Sequence, residues 1–133
     1  MATEIVLHDG LATLGFPAKA IPSYADKLER YCAEIALFND TCHLVKASSR
    51  ADILALHVFD SLAGAACIRE CLTRTEPHGD ACIGDIGSGG GFPGIPLAVV
   101  MPDVQFELVE RMATRCAFLE NCVAALGLKN VRI

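Results

Sequence analysis

Apolar residues recur at helical spacing through the first part of the chain and in short unbroken runs through the second. Tyr24, Leu28, Tyr31, Ile35 and Phe38 form one stripe, with Lys27, Glu29, Arg30 and Glu34 between them. That pattern predicts an amphipathic helix. Ser23-x-x-Asp26, with Pro22 just ahead, reads as its capping box. Residues 3–14 predict a shorter helix, stopped near Gly15 and Pro17. Ser49-x-x-Asp52 opens another, carrying Ile53, Leu54, Leu56, His57 and Phe59 and bending through Ser61 and Gly64 toward Cys71. Residues 73–80 are polar, hold Pro77 and Gly79, and read as a linker.

Beyond the linker the period changes. Residues 81–86 read as a strand that gives way to the glycine-rich run Gly87-Ser88-Gly89-Gly90-Gly91-Phe92-Pro93-Gly94. A helix over 94–101, a strand over 104–109, a helix over 111–126 and a strand start at 130–133 follow. Pro96 is tolerated in a first helical turn, where its missing N–H is not needed. Ala113, Cys116, Ala117, Leu119, Val123 and Leu126 predict the inner face of the last helix, and Gly127 its left-handed end. The expected organisation is a helical region, 1–79, and the first βαβαβ half of a doubly wound α/β domain, 80–133.

Composition narrows the function classes. The chain has 133 residues, a net charge of −5 and mean hydropathy +0.41. Residues 1–79 carry seven Lys/Arg against ten Asp/Glu, and 80–133 four against six. With no basic block, little here grips nucleic acid unaided. The longest uncharged run, 86–102, is broken by five glycines and three prolines and reads as no membrane span. No secretory leader is visible at the start, so a cytoplasmic location is expected. The seven cysteines form no CxxC pair. They read as small buried thiols in a reducing compartment rather than as a metal site.

The chemistry concentrates at the glycine run. A P-loop needs GxxxxGK[ST], and no Lys follows these glycines. Gly89-x-Gly91-x-x-Gly94 fits a dinucleotide fingerprint, with Glu110 about twenty residues on. Its register is off, because the strand ends at Asp85-Ile86 and Gly87 is the first turn glycine. Asp85-x-Gly87-x-Gly89-x-Gly91, with an acid ending the next strand, resembles motif I of S-adenosylmethionine-dependent methyltransferases. That ligand carries no phosphate.

The resemblance extends further. The run from Asp85 to Leu97 is similar to the glycine loop of the ribosomal RNA small subunit methyltransferase G family, also called the glucose-inhibited division protein B family. Phe38-Asn39 with His43-Leu44, the stretch Leu56-His57-Val58-Phe59-Asp60-Ser61, Glu110-Arg111, Arg115-x-x-Phe118-Leu119 and Gly127-Leu128-Lys129-Asn130-Val131 match in order. The likeness covers residue 24 to the end. Leu56 departs from it, standing where the family usually has Arg.

That resemblance implies a Rossmann-like methyltransferase fold, incomplete in this chain, with an N-terminal helical extension. It implies S-adenosylmethionine as cofactor and methyl transfer to N7 of a guanosine in 16S ribosomal RNA of the small subunit. Gly87, Ser88, Gly89 and Gly91 would shape the turn against the cofactor, and Phe92 would lie beside its apolar portion. Asp85 would orient the loop or meet the ammonium group, and Glu110 would accept from the ribose hydroxyls. His57 and Asp60, three apart on one helix face, are near-site candidates or a hydrogen-bonded structural pair. No catalytic base is assigned, since N7 has no proton to remove. The family continues well past Ile133 with further cofactor contacts and basic residues. The chain alone is therefore expected to bind cofactor weakly, to transfer little, and to self-associate through an unpaired edge at 130–133. Two other readings stand beside this one: a nicotinamide-dinucleotide-binding oxidoreductase domain, and a truncated, inactive binding module.

Overall fold

The computed structural model describes residues 2–75 and 79–133. Helices α1 (Ala2–Thr13) and α2 (Ile21–Cys42) lead into a helical run. That run comprises α3 (Arg50–Asp52), a π-helical stretch (Ile53–Val58), α4 (Phe59–Ala63) and α5 (Ala65–Thr75). Then come β1 (Cys82–Ile86), α6 (Gly94–Val100), β2 (Gln105–Val109), α7 (Ala113–Leu126) and β3 (Val131–Arg132). The three strands are parallel in the order β1-β2-β3. Asp85 pairs with Leu108 and Ile86 with Val109, so β1 and β2 end level and their following loops are neighbours.

One core joins the helical region to the sheet. Leu28, Tyr31, Cys32 and Ile35 of α2 meet Ile95 of α6, Phe106 and Leu108 of β2, and Leu119 and Cys122 of α7. Every residue of α6 is buried. Each large apolar side chain removed from water contributes about 1.5–3 kcal/mol, so α2 is integral to the fold. Asn130 is the polar exception. Its buried amide nitrogen lies 3.0 Å from the carbonyl oxygens of Ala98, Met101 and Val104, tying the end of α6 to the start of β2. The opposite sheet face stays open, with Ile86 78% and Val109 49% exposed.

Several local expectations are corrected. The Ser23-x-x-Asp26 box does not cap α2, which begins at Ile21 with no side-chain cap. Pro17 starts the turn instead, its carbonyl accepting from Ala20 and Ile21 N–H. The Ser49 box does form: Ser49 Oγ accepts from Asp52 N–H, and Asp52 Oδ2 from Ser48 N–H. Helix α5 runs through Thr75 into the expected linker, and Pro77 lies outside the described residues. On α7, Ala113 and Ala117 are exposed, while Phe118 and Cys122 take the inner face with Leu119 and Leu126. Only Cys32 and Cys122 are buried; Cys67, Cys71 and Cys82 are exposed. The run Arg50–Thr75 is long and apolar enough to cross a membrane. It sends Ile53, Leu54, Val58 and Leu62 into the core and carries Arg69, Glu70 and Arg74.

Candidate functional site

The level ends of β1 and β2 place Asp85 at the root of the glycine loop and Glu110, just after β2, beside it. Val109 O accepts from Gly87 N–H at 2.7 Å and from Ser88 N–H at 3.2 Å, closing the turn onto β2. Ser88 Oγ donates to Asp85 O at 2.8 Å, and Ser88 O accepts from Gly91 N–H at 2.8 Å. Glu110 reaches over the loop. Its Oε2 accepts from Gly89 N–H at 2.8 Å and its Oε1 from Met112 N–H at 3.0 Å. Asp85 Oδ2 accepts from Gly94 N–H at 3.1 Å, joining the end of β1 to the start of α6.

The two carboxylates differ electrostatically. Burial raises Asp85 above the ordinary aspartate range, opposed by the Gly94 N–H and the Ser88 hydroxyl. Glu110 is held below the glutamate range by the Met112 and Gly89 N–H groups. An ionised carboxylate offers about four acceptor sites. Glu110 therefore keeps capacity for a hydroxyl or cationic donor.

Glycine is needed here in two ways. Gly89 has φ +57°, and a Cβ built there meets nothing within 4 Å. The crest faces open space, so a ligand can approach the backbone directly. Gly91 has φ +98°, and a Cβ there would lie 2.7 Å from Ile95 Cγ1 and from Tyr31 Oη. That glycine is closed in by the core.

The N–H groups of the turn are largely committed. Gly87, Ser88, Gly89, Gly91 and Gly94 all donate within the chain. A pyrophosphate cradle needs such groups pointing at the ligand. This loop presents two carboxylates and few free donors, a lining that suits a cationic, phosphate-free ligand.

Tyr31, read from the sequence only as core, is part of the site's support. Its hydroxyl donates to Gly90 O from full burial. A tyrosine in an apolar stripe gives the same signal as any large core residue, so nothing in the periodicity marks this role. Asn39 is a second support: its Oδ1 accepts from Leu44 and Val45 N–H at 2.9 Å each. Arg115 Nη2 donates to His43 O at 2.9 Å, joining α7 to the end of α2. A cation at a helix C-terminus is favourable there.

Phe92 belongs to the loop, and its ring packs toward α2 and the π-helical stretch. It packs on Tyr31, centroids 5.1 Å apart, and on His57, 5.3 Å apart. His57 and Asp60 line one cavity with Phe92 and Pro93. They are not bonded to each other; His57 Nε2 lies 3.3 Å from Lys46 O. Among the described residues, no three His, Cys, Asp or Glu side chains gather into a metal-holding group.

A family model described as rRNA small subunit methyltransferase G matches residues 24–133. The chain belongs to that family. Ribosomal RNA small subunit methyltransferase G of Ralstonia nicotianae is 36% identical over 130 residues, covering 98% of this chain and 57% of the relative. Its namesake in Treponema pallidum is 37% identical over 134 residues, covering 96% and 55%. That of Nitrosospira multiformis is 38% identical over 128 residues, covering 96% and 53%. The chain spans about half the length of the curated relatives it matches. Its three-stranded parallel sheet with flanking helices is part of a Rossmann-like methyltransferase fold.

Proposed function

We propose that this chain carries the cofactor half of an S-adenosylmethionine-dependent methyltransferase whose acceptor is N7 of a guanosine in 16S ribosomal RNA. The family membership supports the reaction class and the RNA substrate. The observation that carries the cofactor assignment is the loop's donor count. Its N–H groups serve Val109, Ser88, Asp85 and Glu110, leaving little to hold the phosphates of a nicotinamide dinucleotide.

When bound, the cofactor supplies an activated methyl group on a sulfonium centre. The residues present fit it. Gly87 and Gly89 leave room for close backbone approach, with Ser88 and Gly91 fixing the turn. Glu110 accepts from the ribose hydroxyls. Asp85 sets the loop and offers negative charge toward the ammonium group. The glycine turn, Asp85 and Glu110 would hold the donor so that its methyl group faces the N7 lone pair of the acceptor. No proton leaves N7, so alignment of donor and acceptor is the protein's main task. The RNA substrate implies a cytoplasmic site of action. With a net charge of −5 and no basic block, the chain offers little to offset RNA phosphates.

A direct test follows labelled methyl transfer to small-subunit RNA in a form extended to the relatives' length. Label recovered as 7-methylguanosine is expected, with little transfer by this chain alone. Label in another nucleoside would overturn the acceptor, and equal turnover by the two forms would show the site complete within 133 residues.

A further inference from the structure

A cavity of about 400 Å³ lies against the Phe92-Pro93 end of the glycine loop, between the π-helical stretch with α4 and the start of α6. Small-molecule clefts run from roughly 300 to 1,000 Å³. Its lining is mixed. Phe92 and His57 present neighbouring rings, inclined by 37°. Asp60 stands at the start of α4 and takes part in no ion pair or side-chain hydrogen bond among the described residues. Ser61 lines it too, but its hydroxyl is committed to His57 O at 2.6 Å. The His57 ring is positioned by Lys46 O, a contact in which Nε2 carries the hydrogen because a carbonyl only accepts.

The cavity and the cofactor crest share one loop. Phe92 and Pro93 form its wall, and the next residue, Gly94, gives its N–H to Asp85. Whatever enters the cavity therefore sits beside the turn that would hold the methyl donor. A π-helical turn, with its wider backbone, is a frequent device at functional sites.

Resting on the methyltransferase reading, we propose that this cavity receives the acceptor base, a guanine turned out of its stack. Unstacked bases are held against aromatic faces and read along their edges. Guanine's N1–H and N2 amino group lie on one edge and N7 on the opposite side. A carboxylate at Asp60 accepts from both donors of that edge, leaving N7 directed away from Asp60. Adenine puts an acceptor at N1 and meets the same carboxylate with a lone pair. Phe92 and His57 supply the face on which the ring rests. Asp60 thus sets base specificity and Phe92 serves the acceptor rather than the donor.

The test is titration of the chain with guanosine, inosine and adenosine 5′-monophosphates, following the His57 and Phe92 ring-proton resonances. The guanosine nucleotide should shift both. Inosine monophosphate, which lacks the 2-amino group, should bind more weakly, and adenosine monophosphate most weakly. Asp60→Asn should reduce the guanosine affinity roughly tenfold or more and abolish the preference over adenosine. Equal binding of guanosine and adenosine nucleotides, no shift at His57 and Phe92, or unchanged guanosine affinity in Asp60→Asn would overturn the assignment. S-adenosylhomocysteine titrated in parallel keeps the two readings apart. Its failure to bind the parent chain would sink the cofactor assignment alone, and its dissociation constant should be the same in Asp60→Asn.

Discussion

Backbone N–H groups of Met112 and Gly89 depress the Glu110 pKa, whereas burial raises that of Asp85. Glu110 therefore adds stability that is present above its unfolded pKa, near 4.5, and lost as pH falls through the lower folded value. Asp85 works the other way: its desolvation penalty is present above the raised folded pKa and relieved as pH falls through it. Denaturation midpoints followed below about pH 4.5 should show a shallower acid loss in Glu110→Gln than in the parent. An identical acid limb would remove the Gly89 and Met112 bonds from the account. Asp85→Asn keeps an acceptor for Gly94 N–H without the buried charge. It should leave stability at pH 7 unchanged or raised while weakening S-adenosylmethionine, measured by denaturation and titration. Tyr31→Phe strands the buried Gly90 carbonyl, a loss of about 1–3 kcal/mol in urea denaturation. The strand-end acids were legible because their place after apolar runs marks them. Tyr31 was not, because its partner is a backbone carbonyl 59 positions away.

Elements were legible wherever their own residues decide them. The Ser49 box forms because both its hydrogen bonds stay within four residues. The Ser23 box has the same spelling, yet the turn at Pro17 starts α2 earlier. The π-helical stretch left no mark in the pattern, since one inserted residue alters the period only locally. The α7 face shifted because Phe118 and Cys122 bury more surface toward α2 than Ala113 and Ala117 could. Within the glycine loop the element separates two kinds of glycine. Gly89→Ala should retain the fold at a loss of about 1–2 kcal/mol for the left-handed conformation. Gly91→Ala adds overlap with Ile95 and Tyr31 and should lower the thermal midpoint further than Gly89→Ala. Equal midpoints would mean that α6 and α2 yield around the loop.

At the scale of the molecule, α6 and α7 cover one face of a three-stranded sheet and leave Ile86 and Val109 on the other exposed. Parallel sheets are ordinarily covered on both faces. The chain is therefore expected to self-associate, with a weight-average mass that rises with concentration in sedimentation; a constant monomer mass would contradict this. Fold class was readable from the change of period near residue 80 and from the glycine turn. The single core shared by 1–79 and 80–133 was not, because α2 shows only that it has an apolar stripe, never what the stripe meets. The central claim is that the loop binds a phosphate-free nucleoside cofactor over the Gly89 crest. Calorimetric titration tests it most directly. S-adenosylhomocysteine should bind the parent with a one-to-one endpoint, NAD should not bind, and Gly89→Val should abolish the signal by filling the open space above the crest. Binding of NAD, or undiminished S-adenosylhomocysteine affinity in a folded Gly89→Val, would contradict the account.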